Sequence, residues 1–199
     1  VEVDLAFERF ATSKLTLAED LELVETLGFR GEALPSVAAV SNVEIVTRAV
    51  GEDQGTRAEL TSGVVTRKGP IGAAAGTVIT SRNLFKSLPA RRKFLRTPAA
   101  EGSRVQTVTS RYALAYPATR FNLIIDGSRS FGTVGSGDLR EVISDLYGSQ
   151  VAHSMLAIDP TPPVTDEARV LVEGMIGPPS TSRSNRSHIT IFINGRWVQ

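Results

Sequence analysis

The sequence predicts an α+β chain whose larger part is an α/β sandwich, with strands in antiparallel succession and helices gathered on one face. Three observations predict it. Strand-like segments at residues 42–48 (NVEIVTR), 56–60, 64–67 and 77–82 (TVITSR) follow one another across turns, without the strand–helix alternation of a doubly wound parallel sheet. Helical spacing is confined to separate stretches: Leu17, Leu21 and Val24, then Ala33, Val37 and Val40, and later Val105, Val108, Tyr112 and Ala115. A glycine cluster (Gly132, Gly135, Gly137) then breaks the pattern, which restarts as a smaller unit, so the expected division is 1–134 and 135–199.

Composition sets the outer bounds. With 199 residues, 41% hydrophobic and 22% charged, the chain can build one or two ordinary cores. A net charge of +1 means that any basic surface is local rather than global. The absence of cysteine excludes disulfides and thiolate metal sites, and two histidines, His153 and His188, cannot build a histidine-rich one. No apolar run is long enough to span a bilayer. The abrupt start at Val1 and the stop at Gln199 lead us to expect an interior piece of a longer protein.

Taken in order, the chain first offers Thr12, Ser13 and Lys14, two hydroxyls and an ammonium side by side. That triplet can bind phosphate oxygens or cap a helix. A short amphipathic helix with an acidic face should follow over 17–25 and lead to 27–34, LGFRGEAL. Gly28 and Gly31 frame Phe29 and Arg30 there, and Pro35, which has no N–H, fits only a first helical turn. The helix is therefore predicted to begin near Glu32, leaving the amides of residues 31–34 for an anion. A loop merely turning into a core helix has the same spacing.

Beyond the strand 42–48, residues 68–76 (KGPIGAAAG) read as a loop. The basic run Arg91, Arg92, Lys93 and Arg96 has two readings: a nucleic-acid patch, or a solvated helix start carrying Phe94 and Leu95 into the core. Phe121, Leu123 and Ile125 mark a strand, Asp126-Gly127 a hairpin turn, and the return strand should reach about Val134. Residues 132–137 (GTVGSG) lack the lysine of a phosphate loop and read as a flexible junction. A helix is expected over 138–147, strands near 154–158 and 169–176, a rigid proline loop at 160–163 and a serine- and arginine-rich loop at 178–187. Ile189, Ile191 and Ile193 alternate into a hairpin turn at Asn194-Gly195. His153 and His188 are expected at a strand end or in a loop, and with no GxSxG elbow a serine-hydrolase reading fails.

Five segments occur in one order: RFATSK (9–14), LGFRGEAL (27–34), GTVITSRNLF (76–85), LPARRKFL (88–95) and INGRWV (193–198). Together they closely resemble the N-terminal region of MutL-type DNA mismatch repair proteins, over essentially the whole chain. The resemblance implies a GHKL-type ATPase sandwich followed by the start of a ribosomal-protein-like α/β domain that acts as a transducer and binds DNA. It places Thr12, Ser13 and Lys14 at the base of an ATP lid, and Gly28, Phe29, Arg30, Gly31, Glu32, Ala33 and Leu34 around the triphosphate. Thr77 is implied beside the nucleotide on a central strand. The general-base glutamate, the asparagine that holds Mg2+ and the adenine-reading segment are expected before Val1, and a lysine reaching the γ-phosphate beyond Gln199. No catalytic or metal-binding residue is therefore expected within the chain. Phe10 stands where many relatives have histidine, and Lys86-Ser87 where tyrosine-asparagine is common.

What the resemblance implies for the parent is a slow ATPase acting as a switch. ATP orders the lid over residues 10–27, the ordered lid creates a homodimer surface, and the dimer closes over DNA and signals to a mismatch-recognition protein of the MutS type and to a downstream nuclease or helicase. Arg183, Arg186 and Arg196 are the candidate DNA-facing residues. A cytoplasmic, nucleoid-associated protein with no membrane partner is expected. The rivals are a non-hydrolysing DNA-binding or dimerisation scaffold, and another GHKL ATPase such as a type II topoisomerase subunit.

Overall fold

The computed structural model describes residues 3–12, 27–28, 30–158, 160, 170–182, 184 and 188–198. The chain falls into two compact units, Val1–Leu95 and Arg96–Gln199.

In the first unit, β1 (Asn42–Arg48), β2 (Gly55–Thr61), β3 (Val64–Ile71) and β4 (Gly76–Arg82) form one antiparallel sheet in the order β3-β2-β1-β4. The expected sandwich is present. Val43 faces Leu60 and Ile45 faces Ala58 across β1 and β2, so the period-2 alternation of a strand puts all four on one side of the sheet. There they are buried with Ala38 of helix α1 (Ala33–Val40) and with Val3, and Phe7 packs on the edge of the cluster. The other side is polar. Glu44 and Glu59 stand opposite one another, and Arg57 offsets their repulsion by reaching both, at 2.7 and 2.9 Å. With Arg57 42% exposed, each pair contributes only a few tenths of a kcal/mol, roughly.

Two expectations for this unit change. The loop expected at 68–76 is shorter, because Lys68–Ile71 continue β3 through Pro70. Proline is tolerated there because β3 is an edge strand, whose outward side needs no N–H. Phe94 and Leu95 do not enter the core: α2 is a single turn, Pro89–Arg92, and Phe94 beyond it is 85% exposed. Arg91, Arg92, Lys93 and Arg96 are exposed as well.

The second unit contains α3 (Pro98–Ala115), the hairpin β5 (Asn122–Ile125) and β6 (Ser128–Gly132), α4 (Leu139–Tyr147), α5 (Ser149–Ser154), the pair β7 (Leu156–Ile158) and β8 (Gly174–Ile176), and the hairpin β9 (Ile191–Ile193) and β10 (Arg196–Val198). Both predicted hairpin turns form with positive φ at each central residue, Asp126 and Gly127 (50° and 79°) and Asn194 and Gly195 (49° and 72°). That is the geometry that matches strand twist. Ala113, Phe131 and Val142 make the core, with Leu114, Phe121, Leu123 and Leu146 around it.

This core corrects the flexible-junction reading of 132–137. Residues on both sides of the glycine cluster share it. Thr133 is buried, takes the Phe121 amide on its hydroxyl at 3.0 Å and donates its own amide to the Phe121 carbonyl at 2.8 Å. The compact units meet at Leu95 and Arg96. Val105, Val108, Tyr112 and Ala115 mark a helix as expected, within α3. Val105, Val108 and Tyr112 are exposed, while Ala113 is buried and Gly102 lies against Ile125. Small residues on that neighbouring face let α3 approach β5 more closely than the valines would. Residues 149–154, at the edge of an expected strand, form α5 instead, so His153 is helical and its Nδ1 lies 2.7 Å from the Ser149 carbonyl. β7 and β8 are shorter than expected; the proline loop at 161–163 and residue 169 lie outside the described residues.

Helix α4 begins where the sequence indicates. Asp138 caps it, its carboxylate accepting the Arg140 amide at 2.8 Å. Asp138→Ala should lower the stability of this unit by about 1 kcal/mol, read by urea denaturation; no change would mean that the cap contributes nothing.

Candidate nucleotide site

The corner expected to hold phosphate is built by one backbone conformation. Gly31 has φ +63°, the left-handed region that glycine enters without cost. The chain turns there into α1, with Glu32 at the N-cap and Ala33 as first helical residue, one position from the expected start. Pro35 is buried in the first turn and has no amide to leave unsatisfied. Among the described residues, the amides of Glu32, Ala33 and Leu34 donate to no acceptor, and no side chain caps them. They form a set of convergent donors at the positive end of a helix.

The structure also brings the two expected phosphate segments together. The Gly31 carbonyl accepts the Phe10 amide at 3.2 Å. A Cβ on Gly31 would lie 2.8 Å from the carbonyl carbons of both Phe10 and Ala11, closer than real Cβ contacts come. Glycine is thus required twice at this point, for its φ and for the main chain laid against it. Phe10 has a positive φ of 66° and is 72% exposed, so the histidine-for-phenylalanine difference falls on an outward side chain. Thr12 is half-buried, and Gly28 and Arg30 are exposed. Ser13, Lys14 and Phe29 lie outside the described residues, as do 15–26 of the expected lid.

Thr77 lies on β4, which is an edge of the sheet among the described residues rather than a central strand. It pairs with Thr47, their hydroxyl oxygens 2.8 Å apart. Both belong to the sheet side that α1 covers, since Thr47 follows Ile45 by two and Thr77 precedes Ile79 by two. The hairpin tip at Gly63 approaches Ala39, and the Phe85 amide donates to the Val40 carbonyl, so the helix C-terminus lies at the Asn42 end of β1. Sequence reasoning missed Thr47, whose place depends on the β1–β4 register.

Of the candidate DNA-facing residues, Arg183 and Arg186 lie outside the described residues, and Arg196 is half-buried on β10. That hairpin is held by a residue the sequence did not single out. Arg111 of α3 is 9% exposed. Its guanidinium donates to the Tyr147 hydroxyl at 3.2 Å and to the Thr190 hydroxyl, and lies 5.7 Å from the centre of the Trp197 ring. His188 packs edge-on against Tyr147, with centroids 6.0 Å apart. Among the described residues no three His, Cys, Asp or Glu side chains are grouped to hold a metal. Nor is any helix among them long and apolar enough to cross a membrane.

Comparison with known proteins gives a consistent result. Residues 143–199 match the family model described as "DNA mismatch repair protein, C-terminal domain". The DNA mismatch repair protein MutL of Pelotomaculum thermopropionicum is 47% identical over 98% of the chain, and that of Desulforudis audaxviator 45% identical over all of it. The chain spans about a third of the length of these relatives, 31% and 34%. Among solved structures, the Aquifex aeolicus MutL ATPase domain complexed with ADP superimposes with a TM-score of 0.69 at 27% identity, over 92% of this chain and 67% of that one. A crystal structure described as the N-terminal domain of a DNA repair protein gives 0.71 at 25% identity, over 88% and 57%.

Proposed function

This chain is of the MutL type, and on that premise we propose that it is the part of a DNA mismatch repair protein that turns ATP binding into lid ordering, dimerisation and engagement of DNA. One observation carries the reading: the Phe10–Ala11 main chain rests on Gly31 at the start of α1, and among the described residues the amides of Glu32, Ala33 and Leu34 have no acceptor. ATP, when bound, supplies a triphosphate whose charge suits such donors. Gly28, Phe29, Arg30 and Gly31 shape the approach, Glu32, Ala33 and Leu34 present amides, Thr12, Ser13 and Lys14 close the lid base, and Thr77 lines the nucleotide from β4. The ADP complex of the Aquifex relative supports a nucleotide there.

In this reading residues 1–134 are the C-terminal part of a GHKL-type domain, and 135–199 begin the DNA-binding transducer domain, which the family match at 143–199 supports. The slow hydrolysis, the homodimer, the MutS-type and nuclease or helicase partners and the Mg2+ requirement belong to the whole protein. A non-hydrolysable ATP analogue added to the full-length protein should slow exchange of the amides of Glu32, Ala33 and Leu34. Nucleotide bound with those amides unaffected would move the site elsewhere.

Arg183, Arg186 and Arg196 face DNA phosphates in the same reading. Arg183→Glu in the full-length protein should weaken DNA binding at low salt and reduce the slope of log affinity against log salt by about 1. Unchanged affinity and slope remove Arg183 from the interface.

A further inference from the structure

We propose that Thr47 is a positioning residue of the nucleotide site, holding the hydroxyl of Thr77 in the orientation in which it meets the nucleotide. The inference rests on the reading that Thr77 lines that site.

Thr47 and Thr77 are register partners, with 2.8 Å between their Oγ1 atoms. Thr47 is also the partner of Thr56 on its other side, so three threonines lie in one row across β2, β1 and β4. The neighbouring row on the same side is apolar: Ala58, Ile45 and Ile79. The α1 side of the sheet thus changes from hydrocarbon to hydroxyl within one strand repeat, at the end of β1 away from Asn42. Thr47 is half-buried and Thr77 exposed, so the Thr77 hydroxyl is the more open of the two.

A threonine hydroxyl has few χ1 choices, and a cross-strand bond selects one of them. If Thr77 gives its hydrogen to Thr47, it keeps its lone pairs and acts as an acceptor. If Thr47 donates, Thr77 keeps a hydrogen to give. Either way the Thr77 oxygen is fixed before a nucleotide arrives, and less ordering remains to be done on binding.

The test is a double-mutant cycle on the affinity of a non-hydrolysable ATP analogue for the full-length protein, using Thr47→Val, Thr77→Val, the double variant and Thr47→Ser. Valine keeps the branched shape that suits a strand. Thr47→Val should weaken binding roughly three- to tenfold, the worth of one neutral hydrogen bond. Thr47→Ser should bind within about twofold of the original, and Thr47→Val should cost nothing further once Thr77 is valine. A melting temperature unchanged in Thr47→Val together with the affinity loss excludes a merely structural role. Unchanged affinity in Thr47→Val, or an equal loss with and without Thr77, overturns the positioning role while leaving the site in place. Unchanged affinity in Thr77→Val, or no binding by the original protein, overturns the site reading and the inference with it.

Discussion

Gly31→Val should give the largest loss of any single substitution in this chain. Two costs combine. A β-branched residue at φ +63° is strained by roughly 1–3 kcal/mol. Its Cβ would also sit 2.8 Å from the carbonyl carbons of Phe10 and Ala11, main-chain atoms that no rotamer change can move aside, and overpacking of this kind costs roughly 1–3 kcal/mol more. The chain relieves this only by separating the two segments, which breaks the bond from the Phe10 amide to the Gly31 carbonyl. We expect a fall of about 2–6 kcal/mol in the stability of this unit. We also expect nucleotide-dependent protection of the lid in hydrogen exchange to disappear. A variant that melts normally and still protects residues 10–27 on adding an ATP analogue would falsify the junction as the seat of coupling.

Arg111→Leu should be the next largest. It removes a buried guanidinium that α3 extends to the Tyr147 hydroxyl, the Thr190 hydroxyl and the face of Trp197. Leucine fills part of the volume but leaves two hydroxyls short of a donor and an indole without its cation, for a loss of about 2–4 kcal/mol. Trp197 is the chain's sole tryptophan, so its emission reports directly on the β9–β10 hairpin during urea denaturation. The expected result is a lower midpoint and a shifted native-state emission; identical curves would mean that the hairpin is held by other contacts. Arg111→Lys should recover only part of the loss, because an ammonium lacks the planar fork that serves two acceptors and a ring at once.

Local chemistry was legible in the sequence wherever one residue type forces one backbone state. Asp126-Gly127 and Asn194-Gly195 named their turns because few other pairs accept positive φ twice. Pro35 placed the start of α1 within one residue because it excludes the helix interior. Packing was less legible. The valines of α3 carry helical spacing, yet the face that docks is that of Gly102 and Ala113, since a close approach to β5 favours small side chains over large ones. Phe94 is apolar and still 85% exposed, because burial depends on what comes to cover a residue as well as on what it is.

For the candidate site, the sequence by itself determined where α1 starts, and so which amides have no acceptor among the described residues: a proline fits only the first helical turn. It also determined the kinship with MutL-type proteins, through five short segments in a fixed order. Only the tertiary structure decided that the Phe10–Ala11 main chain rests on Gly31, that Thr47 meets Thr77, and that Arg111 joins α3 to the β9–β10 hairpin. Each of these is a meeting of residues far apart in sequence. Strand register and the path of the chain set such meetings, and neither is encoded in any one short segment.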